Sequence, residues 1–142
     1  MARVDFYLLK QTGLPSRQSF ACRLAEKAYR LENTVHIHVG DRAGAERLDK
    51  LLWTFRDGSF VPHQMISESG SQQDSPVTIG CGEVDVPQRD LLINLSDEVP
   101  AFAKAFPRVA ELVTSDEGCK QLGRKRFAEY RDQGHTLETH NV

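Results

Sequence analysis

The chain has no apolar run near the roughly 20 residues needed to cross a bilayer, so no membrane association is expected. Cysteine is scarce. Cys22, Cys81 and Cys119 are an odd set without close spacing, which fits neither a zinc site nor a disulfide framework. They read as buried thiols in a reducing compartment. No charged-then-apolar leader opens the sequence, and a soluble, cytoplasmic protein is expected. The basic excess of a general nucleic-acid coat is missing too, because the formal net charge is −2.

The usual signatures of chemistry are also absent. A dinucleotide fold carries Gly-x-Gly-x-x-Gly after its first strand; here that turn reads Lys10-Gln11-Thr12-Gly13-Leu14-Pro15. There is no phosphate loop, and Gly80-Cys81-Gly82 is only a short turn. No cofactor is therefore expected. Nothing has the form of a nucleophile elbow. Carboxylates are not paired at the strand ends; Asp90 stands alone before a strand, and its neighbour Arg89 suggests an ion pair. His36 and His38 share one face of a strand, but no third ligand sits at useful spacing. They read as partly buried or edge histidines. Neither a catalytic nor a metal site is expected.

What remains is an ordinary globular composition. The 142 residues, 39% hydrophobic and 27% charged, suit one domain spanning 1–142. Val4 to Leu9 reads as a strand, and Pro15 starts a helix whose apolar face is Phe20, Leu24, Ala28 and Leu31. Thr34 to Val39 is a second strand. A helix from about Ala43 to Trp53 follows, with Leu48, Leu51 and Leu52 inward. Strands are expected at Pro76 to Ile79, Leu91 to Leu95 and Val109 to Val113, with a short helix within Ser96 to Phe106. Leu91 to Leu95 is apolar enough for the sheet centre. A polar loop covers Ser67 to Ser75. The alternation predicts an α/β fold, a mostly parallel twisted sheet with helices on both faces. The tail, residues 135–142, has weak signals and is expected to be flexible.

Two surface patches stand out. In the last helix, Lys120 to Arg131, a wheel of about 100° per residue puts Lys120, Arg124, Phe127 and Arg131 in one stripe. An aromatic ring among cations suits a ligand that is anionic and apolar at once. An acidic peptide ending in a hydrophobic residue fits that description, and so does a nucleic-acid strand. Cys119, Leu122 and Tyr130 share another face, expected to pack on the sheet with Arg126 reaching a carboxylate or the rim. Gly123, costly in mid-helix, suggests a close approach by a backbone or ligand. The other patch is Trp53, which points about 140° from Leu48, outward or under the following loop, followed by Phe60-Val61-Pro62-His63. Tryptophan is enriched in binding hot spots.

Taken together these segments resemble the chi subunit family of bacterial DNA polymerase III holoenzyme, over nearly the whole chain. The likeness runs through Phe6-Tyr7-Leu8-Leu9, Arg47 to Trp53, Ser59-Phe60-Val61-Pro62-His63, Arg89 to Leu95, Phe102 to Phe106 and the Lys120–Arg131 helix. The resemblance implies a Rossmann-like fold without a nucleotide-binding motif, and a non-catalytic accessory of the clamp loader. It implies a psi-subunit interface at Trp53, Phe60, Val61, Pro62 and His63, a side that a helicase partner is thought to share in some bacteria. It further implies a site for the acidic, phenylalanine-ending tail of single-stranded DNA-binding protein at Lys120, Arg124, Phe127, Tyr130 and Arg131. DNA would then be contacted only indirectly or weakly. Ala128 stands where some relatives carry a cation, and His135 where an aromatic is common. The competing expectation is a single-stranded nucleic-acid module using the same basic helix, with Phe127 stacking on bases.

Overall fold

The computed structural model describes residues 2–55, 61–65, 75–81 and 89–142. Within them the chain runs β1 (Arg3–Leu8), α1 (Leu14–Arg30), β2 (Val35–Val39), α2 (Arg42–Thr54), β3 (His63–Met65), β4 (Val77–Cys81) and β5 (Leu91–Asn94). A short 3-10 helix (Ala101–Ala105), β6 (Arg108–Val113), α3 (Glu117–Asp132) and β7 (Thr136–Asn141) follow. The strands form one sheet in the order β3-β4-β2-β5-β6-β1-β7, and every pairing is parallel. A parallel pair needs a crossover connection, which places helices on the sheet faces. This is the expected α/β architecture.

Residue alternation along the strands divides the core in two. Leu91, Ile93, Ala110 and Leu112 pack under α1 and α2. Val4, Phe6, Leu92, Val109 and Val113 pack under α3 and the 3-10 helix. β5 lies at the sheet centre, buried along its whole length. His36 and His38 are core residues on the second face. The His36 ring lies 5.9 Å from that of Phe102 and His38 5.2 Å from the same ring. Burial pushes the His36 imidazole down to about 3, with His38 and then Arg89 adding to the effect.

Three expectations are corrected. The buried stripe of α1 is Ala21, Cys22, Ala25 and Ala28, while Phe20 and Leu24 are half-buried and Leu31 is 65% exposed. Small residues let the helix sit close to the sheet and move the large ones to its flank. Residues 136–141 form an edge strand instead of a flexible tail. β7 pairs with β1 from Arg3↔Thr136 to Leu8↔Asn141. His63-Gln64-Met65 forms the opposite edge, on β4. Of the polar Ser67 to Ser75 stretch, only Ser75 lies within the described residues. The neighbours Arg89 and Asp90 also turn to other groups. Arg89 Nη1 donates to the Ser75 and Pro76 carbonyls, and Asp90 accepts from the Thr34 amide and hydroxyl.

Candidate functional site: a cation-roofed apolar cleft and a distant tryptophan

The start of α3 is fixed by Asp116, which accepts from the Gly13 amide at 2.8 Å and the Thr114 hydroxyl at 2.7 Å. Those bonds hold its carboxyl below the usual range. Gly13 has φ +89°, a left-handed conformation suited to glycine. Further along, a Cβ on Gly123 would lie 2.9 Å from Val113 Cγ2. The close approach suggested by this glycine is therefore that of β6 to the helix.

Between α3 and the β1–β7 edge opens a cleft of about 330 Å³. Phe6, Leu8, Val113 and Phe127 give it apolar walls, and Lys120 and Arg124 stand at its lip. Phe127 is half-buried, with its ring 5.2 Å from that of Phe6. It serves as a wall and not as a free stacking platform. Arg124 meets Glu117 at 3.9 Å, but both side chains are about 70% exposed. Such a pair contributes little and leaves the guanidinium available to a ligand. Lys120, Arg124 and Phe127 are thus brought together as expected. Arg131 lies a turn beyond, exposed and 3.6 Å from Asp132.

Tyr130, which the resemblance puts at this site, is instead fully buried on the sheet-facing side, where the helical wheel places it. Its hydroxyl donates to Glu111 Oε2 at 2.7 Å, and burial first, then the Glu111 charge, push the phenol well above its usual range. Asn94 Nδ2 also donates to Oε2, at 2.8 Å, and Arg126 Nε donates to Oε1 at 2.8 Å. Tyr130 therefore belongs to a buried polar cluster behind the cleft. The sequence signalled the inward turn of Arg126 but not Glu111, which hides in an ordinary strand. Phe6 and Leu8 were also missed as cleft residues. Their strand was readable, but the face it would offer was not.

The tryptophan patch lies across the molecule. Trp53 is 52% exposed, and its ring centroid is 4.6 Å from that of His63. His63 is enclosed. Its Nδ1 lies 2.7 Å from the Val61 carbonyl, and its Nε2 lies 3.1 Å from both the Asp49 carbonyl and carboxylate. Pro62 is half-buried, whereas Val61 is 1% exposed and packs in the core under α2. Val61 is thus corrected from contact residue to support. Phe60 lies outside the described residues.

The chain as a whole has relatives among known proteins. The family model described as "DNA polymerase III chi subunit, HolC" matches residues 1–138. The chain belongs to this family. DNA polymerase III subunit chi of Pseudomonas aeruginosa is 43% identical over 142 residues, covering 100% of this chain and 98% of the relative. The Escherichia coli K12 chi subunit is 35% identical over 144 residues, covering 98% and 97%. The chi fold is also similar to a much larger protein, T4 UvsW. That likeness has a TM-score of 0.69 at 10% identity and covers 99% of this chain but 41% of UvsW, so it speaks to fold alone. As a chi-family member, the chain is a DNA replication protein that works with other polymerase III subunits. Among the described residues, no helix is long and apolar enough to span a membrane.

Proposed function

We propose that this chi subunit is a non-catalytic bridge within the clamp-loader assembly, acting in the cytoplasm at the replication fork. The α3 cleft takes the acidic, phenylalanine-ending tail of single-stranded DNA-binding protein. The Trp53 edge takes the psi subunit, or a helicase that competes for the same side. One observation carries the reading: an apolar cleft with two cations at its lip lies at the far sheet edge from an exposed tryptophan. The cleft matches a peptide end that is apolar in its side chain and anionic in its carboxylate. Phe6, Leu8 and Phe127 enclose the ring, and Lys120 and Arg124 hold the charges through charge-assisted bonds.

The test is a pair of titrations. Arg124→Ala is expected to weaken tail-peptide binding by about 1.5–3 kcal/mol, tenfold or more, with psi binding unchanged. Trp53→Ala is expected to lose about 2 kcal/mol or more toward psi and to keep the tail. Wild-type isotherms for both variants against both partners would refute the two-site reading.

A further inference from the structure

The face of β1 and β7 turned away from α3 is open. Arg3, Tyr7 and His140 lie on it, and β7 presents exposed Thr136 and Glu138 there. Along its border runs the flank of α1 that carries the displaced large residues Phe20, Leu24 and Leu31, with Arg23 and Lys27 between them. Two separate hollows lie between sheet face and helix flank, on either side of the Tyr7–Phe20 ring contact, and together they make the groove. One, about 410 Å³, includes Tyr7, Lys27, Leu31, Arg108 and the acidic Asp90. The other includes Phe20 and Arg23.

Aromatic rings and cations alternate across this groove. The Arg23 guanidinium lies 5.5 Å from the Phe20 ring centroid. Phe20 is 5.5 Å from Tyr7, and Tyr7 is stacked on His140 at 5.0 Å with 24° between planes. His140 Nε2 meets Asp5 at 2.9 Å, and Arg3 and Arg108 reach the same carboxylate at 3.2 and 3.4 Å. Asp5 is 2% exposed. It anchors the cations from beneath, and its charge, with those of Asp90 and the exposed Glu138 nearby, offsets part of theirs. Arg3 and Arg108 remain half-exposed above it.

We infer that this groove holds a segment of single-stranded nucleic acid, on the side of the sheet opposite the α3 cleft. Four cations on two banks suit a phosphate backbone, and the His140 ring, stacked on Tyr7, suits one unpaired base. A base laid on the outer side of His140 would extend that stack, with phosphates reaching Arg3 and Arg108 on one bank and Arg23 and Lys27 on the other. An acidic peptide would use the cations but has no need of the exposed ring. The inference stands independently of the tail-binding reading, because it uses a different face and different residues.

The experiment is fluorescence anisotropy with a labelled oligothymidylate of about 15 nucleotides, within the site sizes of such grooves. Binding is expected to be weak and salt-sensitive, with a log–log slope of roughly −2 to −3 for four phosphate contacts. The double variant Arg23→Glu/Lys27→Glu changes exposed helix residues and should weaken binding tenfold or more without moving the thermal midpoint. His140→Ala should weaken it about fivefold or more through lost stacking. Arg124→Ala should bind the oligonucleotide like wild type, even if it loses the tail peptide. Any of three results overturns the proposal: no oligonucleotide binding at low salt, wild-type binding by the double variant, or loss confined to Arg124→Ala. Displacement of the oligonucleotide by polyglutamate, with polyglutamate binding itself lost in the double variant, would make the groove a protein site and also sink the proposal.

Discussion

Glu111 shows how one residue can organise a site it never reaches. Its carboxylate is fully buried and accepts from Arg126, Asn94 and Tyr130. Arg126 also donates to the Asp97 carbonyl at 3.2 Å. Breaking a buried ion pair by removing one partner costs more than removing a peripheral bond, since the remaining charge is stranded. Glu111→Ala is therefore expected to lose about 3–5 kcal/mol of stability, and Tyr130→Phe about 1.5–3 kcal/mol. Urea unfolding of both variants would decide this; equal and small losses would mean that the cluster is not a unit. The helical wheel turns Tyr130 toward the sheet, and the residue is buried there, but a wheel does not show which carboxylate a strand will present opposite that face. For Trp53 the wheel allows an outward turn or cover by the following loop, and the residue is 52% exposed.

Elements were legible where their signal was internal and obscure where it came from a neighbour. β5 is apolar up to its last residue, Asn94, and reads as the sheet centre. β7, Thr136 to Asn141, has only half-buried Leu137 and His140 to mark it, and it is a strand because β1 offers a free edge. In α1 the expected stripe of large residues lost to one of small ones, because the close approach to the sheet favours alanine and cysteine there. Gly123 in α3 poses the same competition in measurable form. Alanine there should gain about 1 kcal/mol of helix propensity, but its Cβ would press on Val113 Cγ2 at 2.9 Å, and overpacking costs about 1–3 kcal/mol. Gly123→Ala alone is expected to be neutral to destabilising. Combined with Val113→Ala, which vacates the contact, it should be stabilising relative to Val113→Ala alone. The double-mutant cycle should give a coupling of about 1 kcal/mol or more; strict additivity would show that the helix shifts freely and that the glycine is not there for packing.

For the whole molecule, the sheet order sets the distance between the two candidate sites. β3 and β7 are its outer strands, with six strand spacings between them. At roughly 4.8 Å each, β1, whose Phe6 and Leu8 line the α3 cleft, lies five spacings or about 24 Å from β3 at the Trp53 edge. They also lie on opposite faces, since α2 packs on one side of the sheet and α3 on the other. The chain order gives no hint of this, because the strand between α2 and β4 was not readable and the last strand was taken for a tail. The physical consequence is independence. The sheet between the sites is continuously packed, and coupling across it would need an element with two alternative arrangements. Sites so far apart with no shared groups are expected to behave additively, within about 0.3–0.5 kcal/mol. Titrating the tail peptide into the free chain and into its psi complex should therefore give affinities within about twofold of each other. A change of tenfold would correspond to about 1.4 kcal/mol of coupling and would require a rearrangement of the sheet itself, seen as altered exchange of the β5 and β6 amides on psi binding.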